Sequence, residues 1–160
     1  MGKGTEAAKL DVIDAFPGLR YDANFEITSP IDPNYNCIAW AYQIKGRWMW
    51  PPKGIPAKVL DAVTYWPDDN VSTEVERFVD AFRLKGYEKC ESPDFEESFR
   101  KIALYITHGT TKCTHAARQL SSGFWTSKLG EEYDIQHSTP QSIEGSIYGC
   151  VYCYMKKPFE

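Results

Sequence analysis

The chain has no surplus of positive charge: 18 Lys and Arg stand against 22 Asp and Glu, for a formal net charge of −4. Nothing is left over to displace counterions from a phosphate backbone, so nucleic acid is excluded as an expected partner. No run of about 18 apolar residues exists to span a bilayer, so no membrane partner is expected. The first residues, MGKGTEAAKLDVIDAFPGLR, lack the continuous apolar stretch of a secretory signal, and the mature chain is expected to start at or near Met1. Gly2 does not make a myristoylation site, because Glu6 stands where that motif needs Ser or Thr. Also missing are a glycine-rich phosphate loop, a G-x-S-x-G elbow and an H-E-x-x-H pair. Asp68-Asp69 and Glu96-Glu97 read as solvated charge, without the spacing of paired acid-base carboxylates.

Cysteine is scarce and odd in number, five in all. A domain of this size needs no disulfide staples, so reduced thiols are expected. The compartment implied is the cytoplasm, or another cell into which the protein is delivered. Cys150-Val151-Tyr152-Cys153 has C-x-x-C spacing but no second pair, and strand positions three apart face opposite ways. No metal and no cofactor are expected.

What is present is a folding composition: 160 residues, 42% apolar, 14% aromatic and 25% charged. A chain of this length buries about 70% of its unfolded surface around one core. Leu10, Ile13 and Phe16 predict a short structural helix over 7–16, stopped by Pro17-Gly18. Asn36 then reads as the N-cap of an apolar helix that opens with Cys37-Ile38-Ala39-Trp40-Ala41 and stops at Gly46. Being apolar nearly all round, that helix is expected inside the domain. Residues 57–66 predict a second helix entered through Pro56. Thr73 and Glu76 predict a capping box for a third, whose stripe is Val75, Phe78, Val79 and Phe82. From residue 100 onward the pattern is β, with strands expected near 101–107, 112–119, 124–127 and 146–155. The expectation is one α+β domain over 1–160: a lead-in over 1–28, a helical half over 29–86 and an antiparallel sheet half over 87–160.

A thiol attacks as thiolate, and unpaired N–H groups at a helix start favour that form, so Cys37 is the candidate nucleophile. Asn34 or Asn36 is a candidate oxyanion donor beside the Cys37 backbone N–H. A base must accompany it. His108 sits in the His108-Gly109 turn and reads as a surface residue. His115, flanked by small residues in a predicted strand, is the candidate base, with His137 second. Ser127, Asp134 and His137 are all candidates to orient His115. Trp40, Trp48, Trp50, Tyr65 and Trp66 read first as core, and the stiff loop carrying Trp48 and Trp50 is the first candidate for substrate selection.

A cysteine heading a buried helix, followed by helices and then a histidine on a later strand, resembles the papain-like cysteine hydrolases. More narrowly, Asn36-Cys37-Ile38-Ala39-Trp40-Ala41, Thr114-His115-Ala116-Ala117-Arg118, Trp125-Thr126-Ser127-Lys128, Asp134-Ile135-Gln136-His137 and Tyr148-Gly149 resemble an uncharacterised bacterial domain family, over roughly residues 30 to 155. The broad resemblance implies N-terminal helices packed on a C-terminal antiparallel sheet. It also implies Asn or Asp on the strand after His115, where this chain has Ser127-Lys128, and a glutamine before the nucleophile that this chain lacks. The expected activity is a thiol hydrolase or acyltransferase acting on a peptide, protein or other amide-containing substrate. The rival is a non-catalytic protein-binding module that keeps a hydrolase-like fold.

Overall fold

In the computed structural model, residues 6–29, 35–43, 48–49, 58–59, 64–66, 73–129 and 133–158 are described, the three shortest segments as backbone. The expected roles of Asn34 and Trp50 fall outside these residues.

Seven antiparallel strands form the main sheet. In chain order they are β1 (Glu26–Ser29), β5 (Glu88–Cys90), β6 (Phe99–Ile106), β7 (Cys113–Gln119), β8 (Trp125–Lys128), β9 (Asp134–His137) and β10 (Cys150–Pro158). Their spatial order is β1-β9-β8-β7-β6-β10-β5. The interior strand β6 shows why the sheet is buried on both sides. Its Ile102 and Leu104 belong to one apolar cluster and its Ala103 and Tyr105 to another. A strand covered on both faces reads as a continuous apolar run, as this one does.

Helices α2 (Cys37–Tyr42) and α3 (Val75–Leu84) cover the first face, and α1 (Glu6–Ala15) with the single 3₁₀ turns Pro17–Tyr21 and Pro140–Ile143 covers the second. The α3 stripe is as expected: Val75, Phe78, Val79 and Phe82 are fully buried, each side chain contributing roughly 1.5–3 kcal/mol of transfer free energy. Among the described residues no helix is long and apolar enough to cross a membrane.

The architecture is α+β, and four expectations need correction. Helices do not all precede the sheet: β1, between α1 and α2, closes one sheet edge on β9. The described residues of the helix expected over 57–66 are strands instead. Lys58–Val59 (β3) and Thr64–Trp66 (β4) join Trp48–Met49 (β2) in a three-stranded sheet of order β2-β4-β3. Thr64-Tyr65-Trp66 is β-branched and aromatic, a composition that favours a pleated surface over a helix.

The Thr73/Glu76 capping box does not form either; the N-cap is Glu74, without a side-chain cap bond. Both residues are engaged elsewhere: the Thr73 carbonyl accepts from Cys113 N–H at 3.0 Å, while the Glu76 carboxylate takes Lys89 and the Tyr152 hydroxyl. Finally, α2 stops before Gly46. Gln43 adopts φ 69°, ψ 41° and returns its N–H to the Ala39 and Trp40 carbonyls, ending the helix after six residues.

Candidate active site

Cys37 occupies the first position of α2. The Asn36 side chain accepts the Ala39 N–H at 3.1 Å, which fixes the start of the helix. Asn36 therefore serves as the cap, and its carbonyl oxygen is turned onto the helix. α2 lies on β7 and β8, where Trp40 Nε1 donates to Thr126 Oγ1 at 3.1 Å and the Trp40 ring stacks on Tyr35 and under Arg118. These contacts leave Trp40 a packing residue.

Strands β7 and β8 pair only at Arg118–Thr126 and Gln119–Trp125. Beyond that point they part, and the Ala116 N–H is given to the Cys37 sulfur, one residue past His115. Burial nevertheless pushes the thiol up to about 11, outweighing the backbone N–H groups of Ala116, Ile38 and Cys37 itself and the nearby charge of Lys128. A thiol of depressed pKa was the expectation from helix position. Two turns of helix in a dry environment do not supply enough field to offset desolvation.

His115 is fully buried on β7. A bulge between β6 and β7 at Thr114 turns it toward the α1 face, opposite Tyr105. Its ring stacks on Tyr148 at 3.9 Å between centroids and 12° between planes, and meets Tyr105 edge-on at 5.2 Å. Tyr148 is held over His115 by its neighbours: its carbonyl accepts from Thr114 Oγ1 at 2.5 Å. Gly149 follows at φ 77°, where an added Cβ would lie 1.9 Å from the Ile106 carbonyl oxygen, so only glycine fits. Burial, and after it the charge of a Cys37 thiolate, raises the Tyr148 phenol well above its ordinary value, which puts the sulfur within electrostatic reach of the stack.

Ser127 and His137 join His115 in one chain of hydrogen bonds. His115 Nε2 lies 3.0 Å from Ser127 Oγ, Ser127 Oγ lies 2.8 Å from His137 Nε2, and His137 Nδ1 lies 2.8 Å from the Thr139 carbonyl oxygen. Burial lowers the pKa of both histidines, that of His137 to about 4 and that of His115 well below its ordinary value, so both rings are neutral at pH 7.

The tautomers then follow from donor and acceptor counting. A carbonyl only accepts, so His137 carries its hydrogen on Nδ1 and accepts on Nε2. The single hydroxyl hydrogen of Ser127 goes to His137. Ser127 Oγ must therefore accept from His115, whose hydrogen is on Nε2. His115 Nδ1 is left as a bare lone pair, and it has no hydrogen-bond partner, the Cys37 thiol included.

Of the residues expected to orient His115, Ser127 does so directly and His137 through it. Asp134 does not reach it. By strand alternation Asp134 faces away from His137, and its Oδ2 accepts from the Tyr35 hydroxyl at 3.0 Å. His108 is exposed in its turn, apart from the site. Trp48 is backbone in the small sheet.

Three residues had no assigned role in the sequence: Tyr148, Cys113 and Asp22. Cys113, buried beside the site, has its thiol pushed well up by burial and then by the charge of Cys37. Tyr148-Gly149 was legible as a motif, and a glycine of forced conformation after an aromatic is the signal that a ring is being placed. Beside Tyr148 an apolar groove of about 420 Å³ opens against α1, lined by Val12, Phe16, Leu129, Tyr133 and Ile147.

A family model described as a domain of unknown function (DUF7689) matches residues 26–156, most of the chain, and the chain belongs to that family. No curated protein and no solved structure matches the sequence or the fold.

Proposed function

We propose that this member of the family is a thiol hydrolase or acyltransferase of papain-like type, with Cys37 as nucleophile and His115 as base. The observation that carries the reading is the bare Nδ1 of His115. An unsatisfied buried acceptor costs about 1–3 kcal/mol, and no packing role explains why a fully buried ring would leave one side unpartnered. The Cys37 sulfur acts electrostatically on Tyr148, the ring stacked on His115, and a lone pair within that reach of a thiol at a helix start has a chemical use. Ser127 stands where papain-like enzymes carry Asn or Asp, and it performs the same service, holding Nε2–H so that Nδ1 stays free.

The resting pair is neutral thiol and neutral imidazole, so His115 works as a general base rather than as the partner of a preformed thiolate. Substrate approach closes the gap between sulfur and Nδ1, the thiol proton passes to Nδ1, and the sulfur attacks the carbonyl carbon of an amide or related acyl group. The backbone N–H groups of Cys37 and Ile38, unused by the helix ladder, are the donors nearest the developing oxyanion. Nδ1–H then protonates the leaving nitrogen. The groove along α1, ending at Tyr148, suits an apolar portion of a peptide, protein or other amide substrate.

The test uses p-nitrophenyl acetate as acyl donor, with intact-protein and peptide mass spectrometry. Wild type is expected to release a burst of nitrophenol and carry one acetyl group on Cys37, and Cys37→Ala and His115→Ala to lose both. Acetylation of Cys37 at equal rate in wild type and His115→Ala, or none at all in wild type, refutes the hydrolase and leaves the binding module.

A further inference from the structure

The hydrogen-bond chain does not end at the residue that orients His115. Ser127 is itself bound to His137, and His137 to Thr139. Close to His137 is the carboxylate of Asp22, near enough to favour its charged form. That carboxylate is fixed on all sides: it accepts from Asn24 N–H at 2.9 Å, Ser138 N–H at 2.7 Å, Ser138 Oγ at 2.6 Å and Ser142 Oγ at 2.9 Å. A serine that only orients a base needs one partner. Here it is a donor to a second imidazole whose accepting nitrogen points back along the chain.

We infer that His115, Ser127 and His137 form a proton relay that carries the positive charge of catalysis from His115 to a second histidine next to Asp22. The inference rests on the hydrolase reading and assigns to His137 a part in it. As the sulfur forms its bond to the acyl carbon, the S–H proton goes to His115 Nδ1. The Nε2 proton of His115 goes to Ser127 Oγ, and the Ser127 proton goes to His137 Nε2. His115 is left neutral with its hydrogen on Nδ1, His137 becomes the imidazolium, and the carbonyl electron pair rests on oxygen. Collapse of the intermediate reverses each transfer, and Nδ1–H of His115 passes to the leaving nitrogen. No atom is gained or lost.

The physical advantage lies in where the charge rests. Burial and the neighbouring His137 both oppose the protonated form of His115. His137 is also buried, but the Thr139 carbonyl and Asp22 both favour its charge. Moving the proton two hydrogen bonds along transfers the cation from the less to the more accommodating site. Buried polar chains polarise one another in the same sense.

The relay demands one arrangement of hydrogens in the resting protein, which long-range ¹H–¹⁵N NMR reads directly on wild type: His115 as the Nε2–H tautomer and His137 as the Nδ1–H tautomer. Finding Nδ1–H on His115 overturns the relay, whatever the activity. In the kinetic arm, acetylation of Cys37 by p-nitrophenyl acetate is followed in H₂O/D₂O mixtures. Wild type is expected to give a bowed proton inventory, several protons moving together. His137→Gln keeps a hydrogen-bonding partner for Ser127 but takes no proton, so it is expected to slow acetylation by at least about tenfold and to straighten the inventory. A His137→Gln rate within about twofold of wild type, with the inventory still bowed, overturns the relay while His115→Ala still tests the nucleophile and base. Near-ultraviolet circular dichroism establishes that the variant is folded.

Discussion

Two neutral buried histidines make the fold sensitive to mild acid. Burial lowers the folded pKa of His137 from 6.5 to about 4, and burial with the charge of His137 holds that of His115 well below 6.5. The unfolded chain takes up these protons below about pH 6.5 and the folded one does not. Stability is therefore complete above pH 6.5 and is lost as pH falls toward 4. At pH 5 His137 has forgone about 1.5 units at about 1.36 kcal/mol per unit, or about 2 kcal/mol, and His115 adds to the loss in the same direction. That is a large share of the 5–15 kcal/mol typical of a domain.

Asp22, Glu74, Glu76 and Glu96 have lowered carboxylate pKa values, so their stabilisation is lost only below about pH 4.5, and the window from 6.5 to 5 belongs to the histidines. Urea unfolding followed by tryptophan fluorescence at pH 7.5, 6 and 5 measures it. His137→Gln is expected to be flatter than wild type by about 2 kcal/mol over that window. Wild-type stability constant within about 1 kcal/mol from pH 7.5 to 5 refutes neutral burial of both rings, and with it the tautomers deduced above.

Ser127→Ala strands two nitrogens at once, His115 Nε2 and His137 Nε2. The expected loss is roughly 2–5 kcal/mol of unfolding free energy by urea titration, with no Cys37 acetylation at neutral pH. Gly149→Ala places a methyl group into the Ile106 carbonyl and a left-handed backbone on a residue that resists it. It is expected to cost about 2–4 kcal/mol and to loosen Tyr148 from His115, seen as an altered His115 ring-proton shift.

How much of this was legible in the sequence depends on whether the signal was local. Asn36 as cap, Cys37 at the first helical position and the α3 stripe are all written within a few residues, and the structure has each of them. The strands β6 and β7 were legible for the same reason. What a sequence window cannot carry is the competition between distant segments. Thr73 and Glu76 match a capping box, but Cys113 and Tyr152 claim their polar atoms first. Likewise the pull of a helix start on Cys37 is readable, whereas the desolvation that defeats it comes with burial in a cluster whose members, such as Cys113 and Ile102, lie more than sixty residues away. Among Ser127, Asp134 and His137 the choice was open because strand alternation alone sends Asp134 to the other face, and β9 itself was not foreseen.

Asp22 binds Ser138 and Ser142 across more than a hundred residues of chain, and β1 closes the sheet on β9 over a similar span. Contacts so remote in sequence are slow to form, because loop closure must be accomplished before they return any stabilisation. Residues 6–29 are thus expected to dock late, after the central strands have paired. A growing chain would have Cys37 and His115 in place before His137 acquires its counter-charge from Asp22, so on the proposed relay competence arrives only with the last clasp of the fold.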